Sequence, residues 1–114
     1  MQMPLPSPLT PELAEAIAER FRVLGEPTRL RLLDLLAGGE RTVGDLASEI
    51  GCTTANVSKH LALMADAGIV TRRRSGLHSY YAVSDRAVYE LCGQVCGSLR
   101  AVADARAASL RETA

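Results

Sequence analysis

Residues 42–68 read TVGDLASEIGCTTANVSKHLALMADAG and contain two helical patterns separated by a tight turn. Thr42 with Asp45 three positions later forms a capping-box pattern, which predicts a helix start. Leu46 and Ile50 supply the buried face of this helix, and Gly51 ends it. The segment therefore predicts a short helix followed at once by a change of direction.

A second helix follows the turn. Thr53 is placed as its N-cap, and Val57, Leu61 and Met64 recur at helical spacing on one face. The pattern ends before Ala67-Gly68. Two short helices joined by a tight, glycine-containing turn are typical of a helix-turn-helix.

The sequence before this motif predicts two further helices. Thr10 and Pro11 provide a cap and a first position for a helix over roughly residues 11–24. Pro27 opens another helix, rich in leucines predicted to face inward (Leu30, Leu32, Leu33, Leu35 and Leu36), which Gly38-Gly39 stops. Residues 1–10 carry three prolines and are expected to form a flexible arm.

The sequence after the motif changes from helical to β-rich. Residues 69–74 and 77–83 flank Ser75-Gly76 and predict a hairpin. Ser84 is placed to cap a last helix that continues to about Ser109, with a flexible tail over residues 110–114. The predicted fold is thus a single mainly α domain, residues 11–109, with four helices, a β-hairpin and a final helix.

Composition narrows the class of protein. The 114 residues contain 47% hydrophobic residues and too little net charge for a disordered chain. No apolar run is long enough to cross a bilayer, and the N-terminus lacks the layout of a signal peptide, so we expect a cytoplasmic protein without a membrane partner. No nucleophile, base and oxyanion donors appear as a set, and there is no phosphate-binding glycine loop, so we expect no enzyme.

Charge is balanced overall but is unevenly distributed. Thirteen basic and thirteen acidic residues give a net charge of zero, which taken alone argues against a nucleic-acid partner. Residues 1–51 hold five basic and eight acidic side chains, whereas residues 52–81 hold four basic and one acidic. The positive stretch coincides with the second helix of the motif and the hairpin, where DNA phosphate contacts would be needed. A charge run of this kind also marks ordinary solvated faces.

Candidate DNA-contacting residues lie in the same stretch. Short hydrogen-bonding groups and one cation point outward from the second helix and suit base edges and phosphates: Thr53, Thr54, Asn56 and Lys59. Arg72, Arg73 and Arg74 are candidates for phosphate contact. His60 lies beside Leu61 and is interpreted as a packed or a phosphate-contacting histidine.

Five short runs together resemble the ArsR/SmtB family of winged-helix repressors: LGEPTRLRLL (24–33), VSKHL (57–61), AGIV (67–70), RSG (74–76) and YY (80–81). The resemblance implies a homodimer joined through the first and last helices and two recognition helices in successive major grooves of double-stranded operator DNA. It adds Ser58 to the DNA-contacting set. It places apolar residues of the two outer helices at the dimer interface, namely Leu13, Ile17, Val88, Leu91, Val95 and Leu99. It also implies an inducer, often a metal ion or metalloid, that releases the operator.

The three cysteines do not match the family's usual metal sites. The third helix contains no cysteine, and the last helix has Asp85 but lacks the histidine ligands of the zinc-sensing pattern. Cys92 and Cys96 remain, one helical turn apart, together with Cys52 before the recognition helix. Cβ atoms at this spacing are about 5–6 Å apart, whereas a disulfide needs about 3.5–4.5 Å. Two thiolates reaching one soft ion fit the spacing better.

These residues leave several hypotheses open. Cys92 and Cys96, with Cys52 of the same or the other subunit, would bind As(III) or a soft metal ion as the effector. Alternatively an oxidant or persulfide reacts with Cys52 or Cys92, since thiols beside helix N-termini are often reactive. Cysteine also packs as a small hydrophobe, and Cys52 is placed to pack against Val57. An alternative of another class is an interaction module that keeps this fold without binding DNA.

Overall fold

The computed structural model describes residues 8–113. Five helices and three strands follow in the order α1 (Pro11–Leu24), α2 (Pro27–Leu36), β1 (Arg41–Thr42), α3 (Val43–Ile50), α4 (Thr54–Asp66), β2 (Val70–Ser75), β3 (His78–Val83) and α5 (Ala87–Thr113). The mainly α winged helix-turn-helix predicted from the sequence is confirmed. Residues 1–7 of the predicted arm lie outside the described residues.

Helices α1, α3 and α4 begin where their predicted capping residues place them. Thr10, Thr42 and Thr53 each accept a hydrogen bond from the backbone N–H three residues later, at 3.1 Å. Gly51 ends α3 in the left-handed conformation, with φ of +81°, which glycine adopts without steric cost. Local chemistry therefore fixes both helices of the helix-turn-helix.

The predicted hairpin is part of a three-stranded antiparallel sheet, in the order β1-β3-β2. Arg41 pairs with Tyr81 and Thr42 pairs with Tyr80. The hairpin itself is correct, but β1 was absent from the sequence prediction. Two residues are too few to show the alternation of polar and apolar side chains that predicts a strand. This strand forms because its backbone pairs with the edge of β3.

The core of residues 8–84 comprises the inner faces of the helices and the base of the sheet. Its fully buried side chains include Leu32, Leu46, Val57, Leu61, Met64 and Ile69. The predicted inner face of α4 is therefore confirmed. Two predicted inward leucines of α2 differ: Leu30 is exposed and Leu35 only half-buried, because five leucines cover more of the helix circumference than one packed face can bury.

Residues 85–113 form a second compact unit that consists mainly of α5. The predicted cap at Ser84 is wrong, since its hydroxyl donates to the Gly68 carbonyl oxygen and Asp85 Oδ1 instead accepts from the Ala87 N–H. The helix also continues beyond Ser109 to Thr113, so residues 110–113 of the predicted tail are helical. Helix-favouring leucine, arginine and glutamate at positions 110–112 extend the helix there.

None of the helices within residues 8–113 combines the length and the apolar character that a membrane span requires.

Candidate nucleic-acid interface

The solvent side of α4 carries the polar residues predicted to contact DNA. Thr54, Asn56, Ser58 and Lys59 are exposed, while the opposite face of the helix is buried. Thr53 is exposed too, but its hydroxyl oxygen already accepts the hydrogen bond from the Asn56 N–H. The first two turns of the helix thus present short hydrogen-bonding groups and one cation, which is the chemistry that reading a major groove requires.

The cap at Thr53 gives a stability prediction that needs no DNA. Replacing Thr53 with alanine removes the acceptor of the Asn56 N–H and is expected to lower the free energy of unfolding by about 1 kcal/mol. Urea unfolding of the free protein measures this loss. Thr53→Ser keeps the hydroxyl and is expected to unfold within about 0.5 kcal/mol of the parent. Equal stability of the alanine and serine variants would contradict the capping role.

The side chain of His60 is mostly buried and packs beside Arg29 and Glu26. Its Nδ1 is 3.2 Å from Arg29 Nη1 and 3.9 Å from Glu26 Oε2, and its side chain is only 18% exposed. Since a guanidinium only donates, the short contact to Arg29 assigns the Nδ1 of His60 as acceptor. A phosphate contact by His60 remains a prediction.

Arg29 is a structural residue that sequence reasoning missed. It is buried, and its guanidinium donates to the backbone oxygens of Val23 at 2.5 Å and Arg22 at 3.4 Å in the last turn of α1. Its backbone N–H donates to the Glu26 carboxylate at 2.9 Å, and this bond holds the pKa of Glu26 below its usual value. Arg29 therefore connects the end of α1, the start of α2 and α4, the helix predicted to be the recognition helix.

The hairpin of β2 and β3 is the wing of this fold, and its three arginines have different surroundings. Arg73 donates from Nε and Nη2 to the two carboxylate oxygens of Glu40, at 3.0 and 2.7 Å. This hydrogen-bonded pair holds the pKa of Glu40 below its usual value. Arg72 donates to the Ser79 hydroxyl at 3.2 Å, and Arg74 is exposed. The fold thus brings Glu40 against Arg73 and sets it apart from Arg72 and Arg74, while phosphate contact by the three arginines stays a prediction.

Comparison with known proteins agrees with this geometry. Residues 24–73 match the helix-turn-helix domain family. The chain is 39% identical over 77 residues to a probable mercury resistance operon repressor of Streptomyces lividans, covering 68% of this chain and 62% of that protein. It is 34% identical over 95 residues to the transcriptional repressor SmtB homolog of Synechocystis, covering 83% and 72%. The chain belongs to the ArsR/SmtB family.

Solved structures of ArsR/SmtB-like proteins share its fold. A homodimeric winged helix-turn-helix DNA-binding domain from Mycobacterium bovis, described as a possible ArsR-family regulator, superposes with a TM-score of 0.70 at 32% identity, covering 90% of this chain and 91% of that one. The antimony-specific repressor AntR superposes with a TM-score of 0.76 at 29% identity, covering 90% and 93%. The protein is thus a DNA-binding transcriptional regulator and not an enzyme.

The three cysteines of this ArsR/SmtB protein are free thiols. Cys52 and Cys92 are half-buried and Cys96 is exposed. The Cys52 N–H donates to the Ala47 carbonyl oxygen at 3.1 Å, which fixes the turn between α3 and α4. Within residues 8–113 of one chain, no three His, Cys, Asp or Glu side chains are grouped as ligands for a metal ion.

The residues expected at the dimer interface differ in exposure. Leu13, Val95 and Leu99 are exposed, and Ile17 and Leu91 are half-buried. Val88 is only 3% exposed in the single chain, so its assignment to the interface is corrected: a buried side chain has almost no surface left for a partner. Phe21 of α1 is also exposed, at 52%.

Proposed function

We propose that this ArsR/SmtB protein represses transcription as a homodimer and releases its operator when a thiophilic effector binds Cys92 and Cys96. The observation that carries the proposal is the position of these two free thiols one turn apart on α5. Thiolates at this spacing converge on a soft ion such as arsenite, cadmium or lead and have little affinity for hard cations. Relatives named for mercury resistance and antimony specificity support the same class of effector.

The dimer provides the route from effector to DNA. Exposed apolar side chains on α1 (Leu13 and Phe21) and on α5 (Val95 and Leu99) are the surfaces we assign to the partner subunit. An ion bound at Cys92 and Cys96, with Cys52 of the same or the other subunit as a third ligand, would favour one arrangement of the two protomers over another. The spacing of the two recognition helices then no longer matches the operator half-sites.

Effector titration tests the proposal directly. We expect arsenite or a soft divalent ion to weaken operator binding by the purified dimer about 5- to 150-fold, the range of ordinary allosteric coupling. Fluorescence anisotropy with a labelled operator duplex measures the release, and magnesium is the matched hard-cation control. Operator affinity that stays constant through the whole panel of thiophilic ions would contradict the proposal.

A further inference from the structure

The guanidinium of Arg73 is held from two directions. It forms a two-point pair with the Glu40 carboxylate, with hydrogen bonds of 2.7 and 3.0 Å. Its Cζ atom also lies 4.6 Å from the centre of the Tyr80 ring, in cation–π contact. Paired hydrogen bonds fix the plane of a guanidinium, and the aromatic face restricts it further. Arg73 is therefore more strongly positioned than an ordinary surface arginine.

The register of the sheet separates Arg73 from its neighbours. Arg73 lies opposite Tyr80, whereas Arg72 lies opposite Tyr81 and Arg74 opposite Ser79. Because successive side chains of a strand point to opposite faces, Arg72 and Arg74 share one face of the wing and Arg73 lies on the other. Among the described residues, Glu40 pairs with Arg73 and no carboxylate pairs with Arg72 or Arg74.

A phosphate and the Glu40 carboxylate compete for the same N–H donors. If Arg73 turned to the DNA backbone, it would leave an ionised carboxylate unpaired beside a polyanion, which opposes the exchange. We propose that Glu40 withholds Arg73 from the DNA backbone, so that the wing contacts phosphate through Arg72 and Arg74 and sequence-independent affinity stays low. Glu40 is then a specificity-determining residue, although it lies outside both the recognition helix and the wing.

Salt dependence provides the test, because each phosphate contact adds about 0.9 to the slope of log affinity against log salt. Affinities for an operator duplex and an unrelated duplex are measured from low to moderate salt for four variants. We expect Glu40→Gln to steepen the slope by about 0.9 for each wing and to raise affinity for the unrelated duplex several-fold. Arg74→Ala is expected to flatten the slope by the same amount, and Arg73→Ala to leave it unchanged.

The double variant Glu40→Gln with Arg73→Ala separates the pair from simple repulsion. Its slope is expected to return to the parent value, because the gain from Glu40→Gln is made by Arg73. A flattening by Arg73→Ala equal to that of Arg74→Ala would overturn the inference, as would a gain that persists in the double variant. The inference rests on the DNA-binding part of the proposed function. The slopes are measured without effector, so they test the role of Glu40 even if no effector releases the operator.

Discussion

Replacing Arg29 with alanine is expected to lower the free energy of unfolding by about 2–4 kcal/mol, more than any surface substitution in this chain. The guanidinium donates to the backbone oxygens of Val23 and Arg22 and to Nδ1 of His60, and the residue is only 8% exposed. Alanine leaves all three acceptors without this donor, and the contact to Val23 is buried. Unmade hydrogen bonds of buried groups cost the full desolvation of those groups.

Arg31 on the same helix offers a matched control, because it is exposed. Urea unfolding of Arg31→Ala is expected within about 0.5 kcal/mol of the parent. Arg29→Lys keeps the charge but loses the forked donors, and is expected to fall between the parent and Arg29→Ala. All variants are compared at one protein concentration, since dimerisation adds to apparent stability. Equal stability of Arg29→Ala and Arg31→Ala would show that the buried guanidinium has no structural role.

The elements that the sequence predicted well are those fixed by near neighbours. The start of α4 follows from the Thr53 hydroxyl and the Asn56 N–H, three residues apart, and its orientation follows from Val57, Leu61 and Met64. The wing turn follows from Gly76, whose φ is +60°. Each of these signals lies within a few residues of the structure it specifies, so no knowledge of the tertiary fold is required.

The contacts that the sequence did not reveal join residues that are far apart in the chain. Glu40 lies 33 residues before Arg73, and Arg29 lies 31 residues before His60. Counting charges by segment therefore assigned Glu40 to an acidic half of the chain, when the fold brings it to the wing. Strand β1 has the same origin, since its two residues become a strand only when the edge of β3 is beside them.

The cysteine pair falls between these two cases. The spacing of Cys92 and Cys96 is a property of one helix and was readable from the sequence. A third sulfur ligand from Cys52, within or between subunits, depends on contacts outside any local pattern. The pair is thus the part of the proposed effector site to test first, and a proposed third ligand is tested by its effect on the response.

Replacing both Cys92 and Cys96 with serine is expected to abolish the release of the operator by arsenite. Operator binding without effector is expected to stay intact. The parent dimer should lose about 5- to 150-fold in operator affinity with saturating arsenite, and the double variant less than twofold. Serine is close to cysteine in size, but its hydroxyl is a hard ligand that soft ions bind poorly. Anisotropy titrations with and without arsenite measure both quantities. Operator affinity of the double variant without effector is the control for folding.

Two results would contradict this mechanism. A double serine variant that still releases the operator with arsenite would place the effector elsewhere. Release accompanied by a mass increase that survives denaturation would indicate a covalent thiol reaction, because a chelated ion is normally lost when the chain unfolds. Cys52→Ser in the same titration tests the third ligand. A weakened arsenite response identifies Cys52 as the third sulfur. An unchanged response indicates that Cys92 and Cys96 of the two protomers form the complete site.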